Sequence, residues 1–193
     1  MIGSHTLTLR IPVNWLIAVG IAAALLVGGY IYVAPANRHY VVFSASVLAG
    51  AGAALAAVNA LDARVAQVRQ SRIAAAIDFG HRWTSPEFFH ARSAGRTIVG
   101  YLKANSNLEH QKQWLQEDAK RLPDLLDVLN MLELLSLAVQ ADVLDEDLIK
   151  RQFRSVVNDY WHATEAFIKN RRAERQNARL LAEFEALFKR WNP

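Results

Sequence analysis

Between positions 13 and 61 the chain carries two apolar runs, 13–33 and 40–61, with no Asp, Glu, Lys or Arg inside either. At 1.5 Å per residue they would make helices of roughly 31 and 33 Å, enough to cross a hydrocarbon core about 30 Å thick. Only Ala34-Pro35-Ala36-Asn37-Arg38-His39 separates them, so the two are expected to pack as antiparallel neighbours. The remainder interleaves apolar residues with charge at helical spacing. The fold expected is all-α: an N-terminal segment and transmembrane hairpin over 1–61, then a cytoplasmic helical bundle over 62–193.

Charge sets the orientation. Arg10 precedes the first run, Arg64, Arg69 and Arg72 follow the second, and Arg38 stands alone in the connector. The positive-inside rule then puts both termini in the cytoplasm. Tyr30, Tyr32 and Tyr40 gather at the turn and Trp15 at the other end, as amphipathic rings at headgroup depth do. A competing reading makes the first run a cleaved signal, because Ala34-Pro35-Ala36 resembles a small-residue cleavage site. Against it stand the length of the run, the proline, and the second run that follows at once.

Small residues recur at every fourth position, Gly20, Ala24 and Gly28 in the first run and Ser46, Gly50 and Ala54 in the second. Lipid gives helices no hydrophobic reason to associate, so such faces are where backbones pack closely. They serve either to close the hairpin or to join chains into a homo-oligomer. Intramembrane charges usually mark ion or proton paths, and their absence argues against selective transport. Arg64, Arg69 and Arg72 sit where they would meet lipid headgroups, as topology anchors or as a site for anionic lipid.

Beyond position 62, Thr84 and Glu87 are spaced as a capping box around Pro86, predicting a helix towards Lys103 with Thr84 as cap. Asn105-Ser106-Asn107 breaks it, and 108–121 reads as a polar, exposed helix. Pro123 opens the most apolar helix, 124–140, with Asp127, Asn130 and Glu133 as a narrow polar ridge. Asn130 and Glu133 are expected to be buried, and a buried carboxylate needs a partner. An arginine from a neighbouring helix supplies one; a catalytic acid is the other reading. Asp145-Glu146-Asp147 starts a helix with a stripe of Ile149, Phe153, Val156, Tyr160, Ala163 and Phe167, and a last helix carries Leu180, Phe184, Leu187, Phe188 and Trp191.

Chemistry is harder to find. The formal charge of +4 is shared between the apolar and charged parts, so bulk charge argues little for nucleic acid. Without cysteine there is no thiolate nucleophile, disulfide or cysteine-ligated zinc. The histidines at 5, 39, 81, 90, 110 and 162 form no i, i+4 pair, and no phosphate-cradling glycine pattern or calcium loop occurs. The all-helical HEPN ribonucleases place four to six residues between arginine and histidine; Arg154 and His162, like Arg82 and His90, have seven between them. No catalytic, cofactor or metal residue is assigned, and the expectation is a protein that is not an enzyme. Lys169, Arg171, Arg172, Arg175 and Arg179 form the one basic cluster, either a solvated helix end or a surface for an acidic protein, nucleic acid or lipid headgroup.

Ile77-Asp78-Phe79 with Trp83-Thr84-Ser85-Pro86-Glu87-Phe88, then Val128-Leu129-Asn130-Met131-Leu132-Glu133, Leu144-Asp145-Glu146-Asp147-Leu148, Tyr160-Trp161, Arg171-Arg172 and Phe184-Glu185 with Trp191 resemble, over 73–191, a bacterial family of short membrane-anchored helical proteins known only as a domain of unknown function. The resemblance implies a helical fold at the bacterial inner membrane and transfers no catalytic residue. The layout of two spans and a helical domain also resembles the two-span effectors of retron antiphage systems. There a reverse transcriptase with its RNA-linked DNA restrains a toxic membrane protein. That likeness implies an effector held by such a partner; a tether that recruits a cytoplasmic protein or nucleoprotein is the alternative.

Overall fold

The computed structural model describes residues 13–32 and 34–193, and side-chain surroundings from Ile21 onward except at Gly29. Helix α1, Val13–Tyr32, leads through a single 3-10 turn, Pro35–Asn37, into α2, Arg38–Thr84. Then follow α3 (Pro86–Ala104), α4 (Leu108–Glu117), α5 (Arg121–Gln140), α6 (Glu146–Glu174) and α7 (Ala182–Trp191). No strand occurs among the described residues. The chain divides into two units, Met1–Arg64 and Val65–Pro193.

In the first unit α2 is the one described helix long and apolar enough to cross a membrane. Its most apolar 18-residue window has a mean hydropathy of 2.1, and none of that window is buried in the protein. The other expected span, 13–33, is only partly within reach: the described apolar part of α1 is the shorter Ile21–Tyr32. Arg10, Val33 and the surroundings of Trp15 and Gly20 lie outside the described residues. At the turn the Asn37 N–H donates to the Ala34 carbonyl at 2.9 Å. The Arg38 guanidinium lies over the Tyr30 ring, 5.2 Å from its centre.

The second unit is a helical bundle built around α5. Leu125, Val128, Leu129, Leu132 and Leu135 are wholly buried, against α3 and α7 above all. Leu134 and Leu137 are 51% and 45% exposed, so α5, the most apolar helix of the bundle by sequence, has a solvent face. Asn130 lies on that face and is exposed, which corrects its expected burial. A residue at spacing three from Glu133 drifts about 60° round the helix, far enough to leave the interface.

Two boundaries also move. Ser85, not Thr84, caps α3: its hydroxyl accepts from the Phe88 N–H at 3.4 Å. The Thr84 hydroxyl instead donates back to the Gly80 carbonyl at 3.0 Å, finishing α2. Pro86 explains this, since proline fits the first helical position and fixes the cap one residue before it. Helix α4 is shorter than expected and not wholly exposed, because Leu115 and Gln111 are buried. The Gln111 amide donates to the Leu102 carbonyl at 3.0 Å, tying α4 to the end of α3. Tyr101 and Trp114 stack at 3.9 Å, and the Arg121 guanidinium lies 4.0 Å from the Trp114 ring centre.

At Gly95 helix α3 lies against both α5 and α6. A Cβ there would stand 2.5 Å from the Tyr160 hydroxyl and 3.0 Å from Val128 Cγ2. Helix propensity argues against this glycine; packing requires it. The Tyr160 hydroxyl has no hydrogen-bond partner among the described residues, and burial pushes its pKa up to about 12.

Candidate functional site

The most elaborated polar arrangement in the helical unit surrounds the start of α7. Glu133 projects from α5 and accepts two main-chain N–H groups, from Glu183 at 3.3 Å and Phe184 at 2.7 Å. Helix N-termini expose unpaired N–H groups and favour negative charge. The residue in the cap position of α7 is Leu181, whose side chain can supply no such acceptor. The carboxylate of another helix therefore does the capping.

Arg172 completes the arrangement from the end of α6. Its Nε donates to the Leu180 carbonyl at 2.8 Å, Nη2 to the Leu181 carbonyl at 3.2 Å, and Nη1 to Glu185 Oε2 at 2.5 Å. One planar guanidinium thus holds the turn and the first turn of α7 together, which a point charge could not do. Burial raises the Glu133 pKa above its ordinary value. The N–H donors of Phe184 and Glu183 and the Arg172 charge oppose that rise, and the Glu183 carboxylate adds to it. The Glu185 pKa is lowered by hydrogen bonds from Lys189 and Arg172.

At its far end α7 is pinned again. The Trp191 indole N–H donates to Glu146 Oε1 at 3.0 Å, and Arg190 donates to Glu146 Oε2. Asn192 and Asn158 exchange side-chain hydrogen bonds at 2.6 and 3.2 Å. Between these pins Phe184 and Trp191 are wholly buried and Leu187 nearly so. Trp161 packs edge-on against Phe184 and stacks on Phe188. The arrangement is a clasp: nearly every polar atom in it is spent on holding a ten-residue helix in place.

The residues expected to matter fall out differently. Glu133 has the arginine foreseen for it only as a nearby charge; its direct partners are main-chain N–H groups. The basic cluster does not act as one surface. Lys169 pairs with Glu165 at 2.7 Å, Arg172 is consumed by the clasp, and Arg171 lies 5.5 Å from the Phe167 ring centre. Only Arg175 and Arg179 remain exposed without an ion pair among the described residues. Of the juxtamembrane arginines, Arg64 and Arg69 are exposed, whereas Arg72 is ion-paired with Asp142 and its carbonyl accepts the Asp145 N–H at 3.3 Å.

In the apolar half of α2, Ser46 folds its hydroxyl back to the Val42 carbonyl at 2.9 Å. Ala24, Ser46, Gly50 and Ala54 are exposed and Gly28 half-exposed. A Cβ at Gly28 or Gly50 would meet nothing within 4 Å, so neither glycine is packed against a neighbour among the described residues.

Sequence reasoning missed Glu146 as an α7 anchor, reading it only as part of a helix start, and it missed the Asn158–Asn192 pair. Both link positions more than 30 residues apart, and periodicity carries no signal for that. It also missed Lys150, Arg151 and Arg154, which line an open hollow with Asp147, Ser155 and Asn158. Spacing of three and four along one helix could have found them. No group of three or more His, Asp or Glu among the described residues is arranged to hold a metal ion.

A family model described as a domain of unknown function (DUF4760) matches residues 44–191. No curated protein matches the chain, nor does any solved structure. The matched region takes in most of the apolar run of α2 as well as the whole helical bundle.

Proposed function

The chain belongs to the DUF4760 family, a domain of unknown function, and from that premise we propose that it is a membrane-embedded effector of a bacterial antiphage system, of the retron type. On this reading it sits in the inner membrane with both termini cytoplasmic. A partner, a reverse transcriptase with its RNA-linked DNA, holds it inactive through the helical bundle, and on release the spans associate and disrupt the bilayer. The observation that carries the reading is the apolar window of α2, of which no residue is buried by the protein. Burying such a surface in lipid is favourable by about 25 cal/mol per Å². The open positions at Gly28 and Gly50 leave room for a second chain to approach, which is how helices in lipid gain contact.

Two spans, 13–33 and 40–61, are part of this proposal. Regulated expression followed with a membrane-potential dye tests it. Loss of polarisation and arrested growth when the chain is free, prevented by the partner, are expected. Cells that keep growing and stay polarised would refute it and favour a tether that only recruits a partner. Exchanging 13–61 for an unrelated hairpin separates the two, because a tether tolerates the exchange.

A further inference from the structure

The segment 175–181 that joins α6 to α7 holds two non-glycine residues in the left-handed region, Gln176 at φ 50° and Leu181 at φ 56°. An L-residue pays for that conformation, and strain of this kind is kept only where the surroundings impose it. At Leu181 the imposing group is the Arg172 guanidinium, which bonds the Leu180 and Leu181 carbonyls; at Gln176 it is the end of α6, where the Ala173 and Arg172 carbonyls accept the Gln176 and Asn177 N–H groups at 3.3 and 3.0 Å. Apart from the burial of Leu181 in the core, the remaining attachments of α7 are carried by α7 itself or by Asn192 directly after it. Glu133 takes the N–H groups of Glu183 and Phe184, Glu146 takes Trp191, and Asn158 takes Asn192. A helix whose docking contacts travel with it, on a strained hinge, can make the same contacts on another copy once the hinge extends. Seven extended residues span at most about 25 Å, a reach suited to an adjoining chain.

We infer that α7 is exchanged between two copies of this chain, each lending its α7 to the other's Glu133–Trp161–Asn158 groove. Exchange restores the contacts of α7 in trans and relaxes Gln176 and Leu181, at the cost of the two carbonyl bonds to Arg172, the turn bonds of the hinge and the burial of Leu181. Short strained hinges are the circumstance in which such swapping is inexpensive. This inference stands on the hinge and the groove and does not depend on the membrane reading.

The chain has no cysteine, so introduced thiols report one site at a time. Two full-length chains with different tags, one Asn158→Cys and one Asn192→Cys, are mixed in detergent and treated with a short bismaleimide. Exchange gives a crosslinked pair containing both tags. Adding Gln176→Gly to both chains, which removes hinge strain at an exposed position, lowers that yield by roughly fivefold. A control pair, Asn158→Cys with Gln113→Cys at an exposed position of α4, stays uncrosslinked. If the doubly substituted single chain closes on itself while the mixed pair gives no product, the helix docks only in cis and the inference fails. It fails equally if the control pair crosslinks as well as the test pair, because the chains then associate without exchange, or if Gln176→Gly leaves the yield unchanged.

Discussion

The run 40–61 and helix α7 are both rich in apolar side chains, yet they are treated in opposite ways. On α2, Val47, Leu48, Leu55, Val58 and Leu61 are all more than half exposed; on α7, Phe184 and Trp191 have no exposed surface at all. The difference is one of matching. The apolar face of α7 meets Trp161 and α5, and its ends meet Glu133, Arg172 and Glu146. The most apolar window of α2 is not buried by any of the described residues, and an apolar surface of that length left bare in water would be a large continuous cost. The apolar face of α7 is matched within the described residues, and that of the run is not.

The sharpest way to break this contrast is to truncate a large side chain in each region. Trp191→Ala should destabilise the helical unit by about 3–5 kcal/mol, from lost transfer energy and the cavity left behind. Leu55→Ala should leave the unfolding of the same unit unchanged. Thermal denaturation followed by circular dichroism in detergent reads both. Equal losses would mean that the run packs against the bundle.

A charge tests the second half of the contrast. Leu48→Arg places a cation near the middle of the run, which costs about 2.5–3.5 kcal/mol at the centre of a membrane helix and nothing at a solvated surface. Alkaline carbonate extraction of membranes should move a substantial part of the variant into the soluble fraction while the unsubstituted chain stays behind. Identical partition of the two would remove the case for a span.

Glycines sharpen the same comparison at smaller scale. Gly95→Ala forces a methyl group against the Tyr160 hydroxyl and Val128 and should cost about 1–3 kcal/mol. Tyr160→Phe should recover much of this, because the hydroxyl it removes has no partner among the described residues. Gly50→Ala, with open space around it, should leave the fold intact and weaken only association between chains. Melting curves and crosslinking yields separate the two effects.

These regions were not equally legible. A continuous uncharged run announces itself because each residue contributes independently to hydropathy, and the helices of the bundle follow from their stripes and caps. The clasp did not announce itself. Glu133 was singled out as a carboxylate in an apolar helix, which is a local property. That it caps α7, that Arg172 is withdrawn from the basic cluster to brace a turn, and that Leu181 takes a left-handed conformation are facts of tertiary approach. The Thr84 and Asn130 readings failed for a related reason, since spacing gives the face of a helix and not which edge of that face the neighbour covers.

The smallest effect lies in the clasp itself, where two carboxylates flank one arginine and titrate in opposite senses. The Glu133 pKa is raised from 4.5, chiefly by burial, so its ionised form is the costly one. That cost is fully present above the raised value and is relieved as the pH falls through it. The Glu185 pKa is lowered from 4.5 by its bonds to Lys189 and Arg172. Its contribution is present above the ordinary carboxylate range and is lost as the pH falls through the depressed value. Glu133→Gln should therefore lie within about 1 kcal/mol of the unsubstituted chain at pH 7, near the net worth of one hydrogen bond. The difference should then shift in favour of the unsubstituted chain as the pH falls through the raised pKa, because only that chain gains from protonation. Glu185→Gln should behave oppositely, with its deficit greatest at neutral pH and closing below 4.5. Denaturant midpoints of both variants across pH 7 to pH 4 read this directly. If both deficits moved in the same direction with pH, Glu133 would be held by Arg172 as an ordinary ion pair, and the desolvated cap across α5 and α7 would be the wrong description of the clasp.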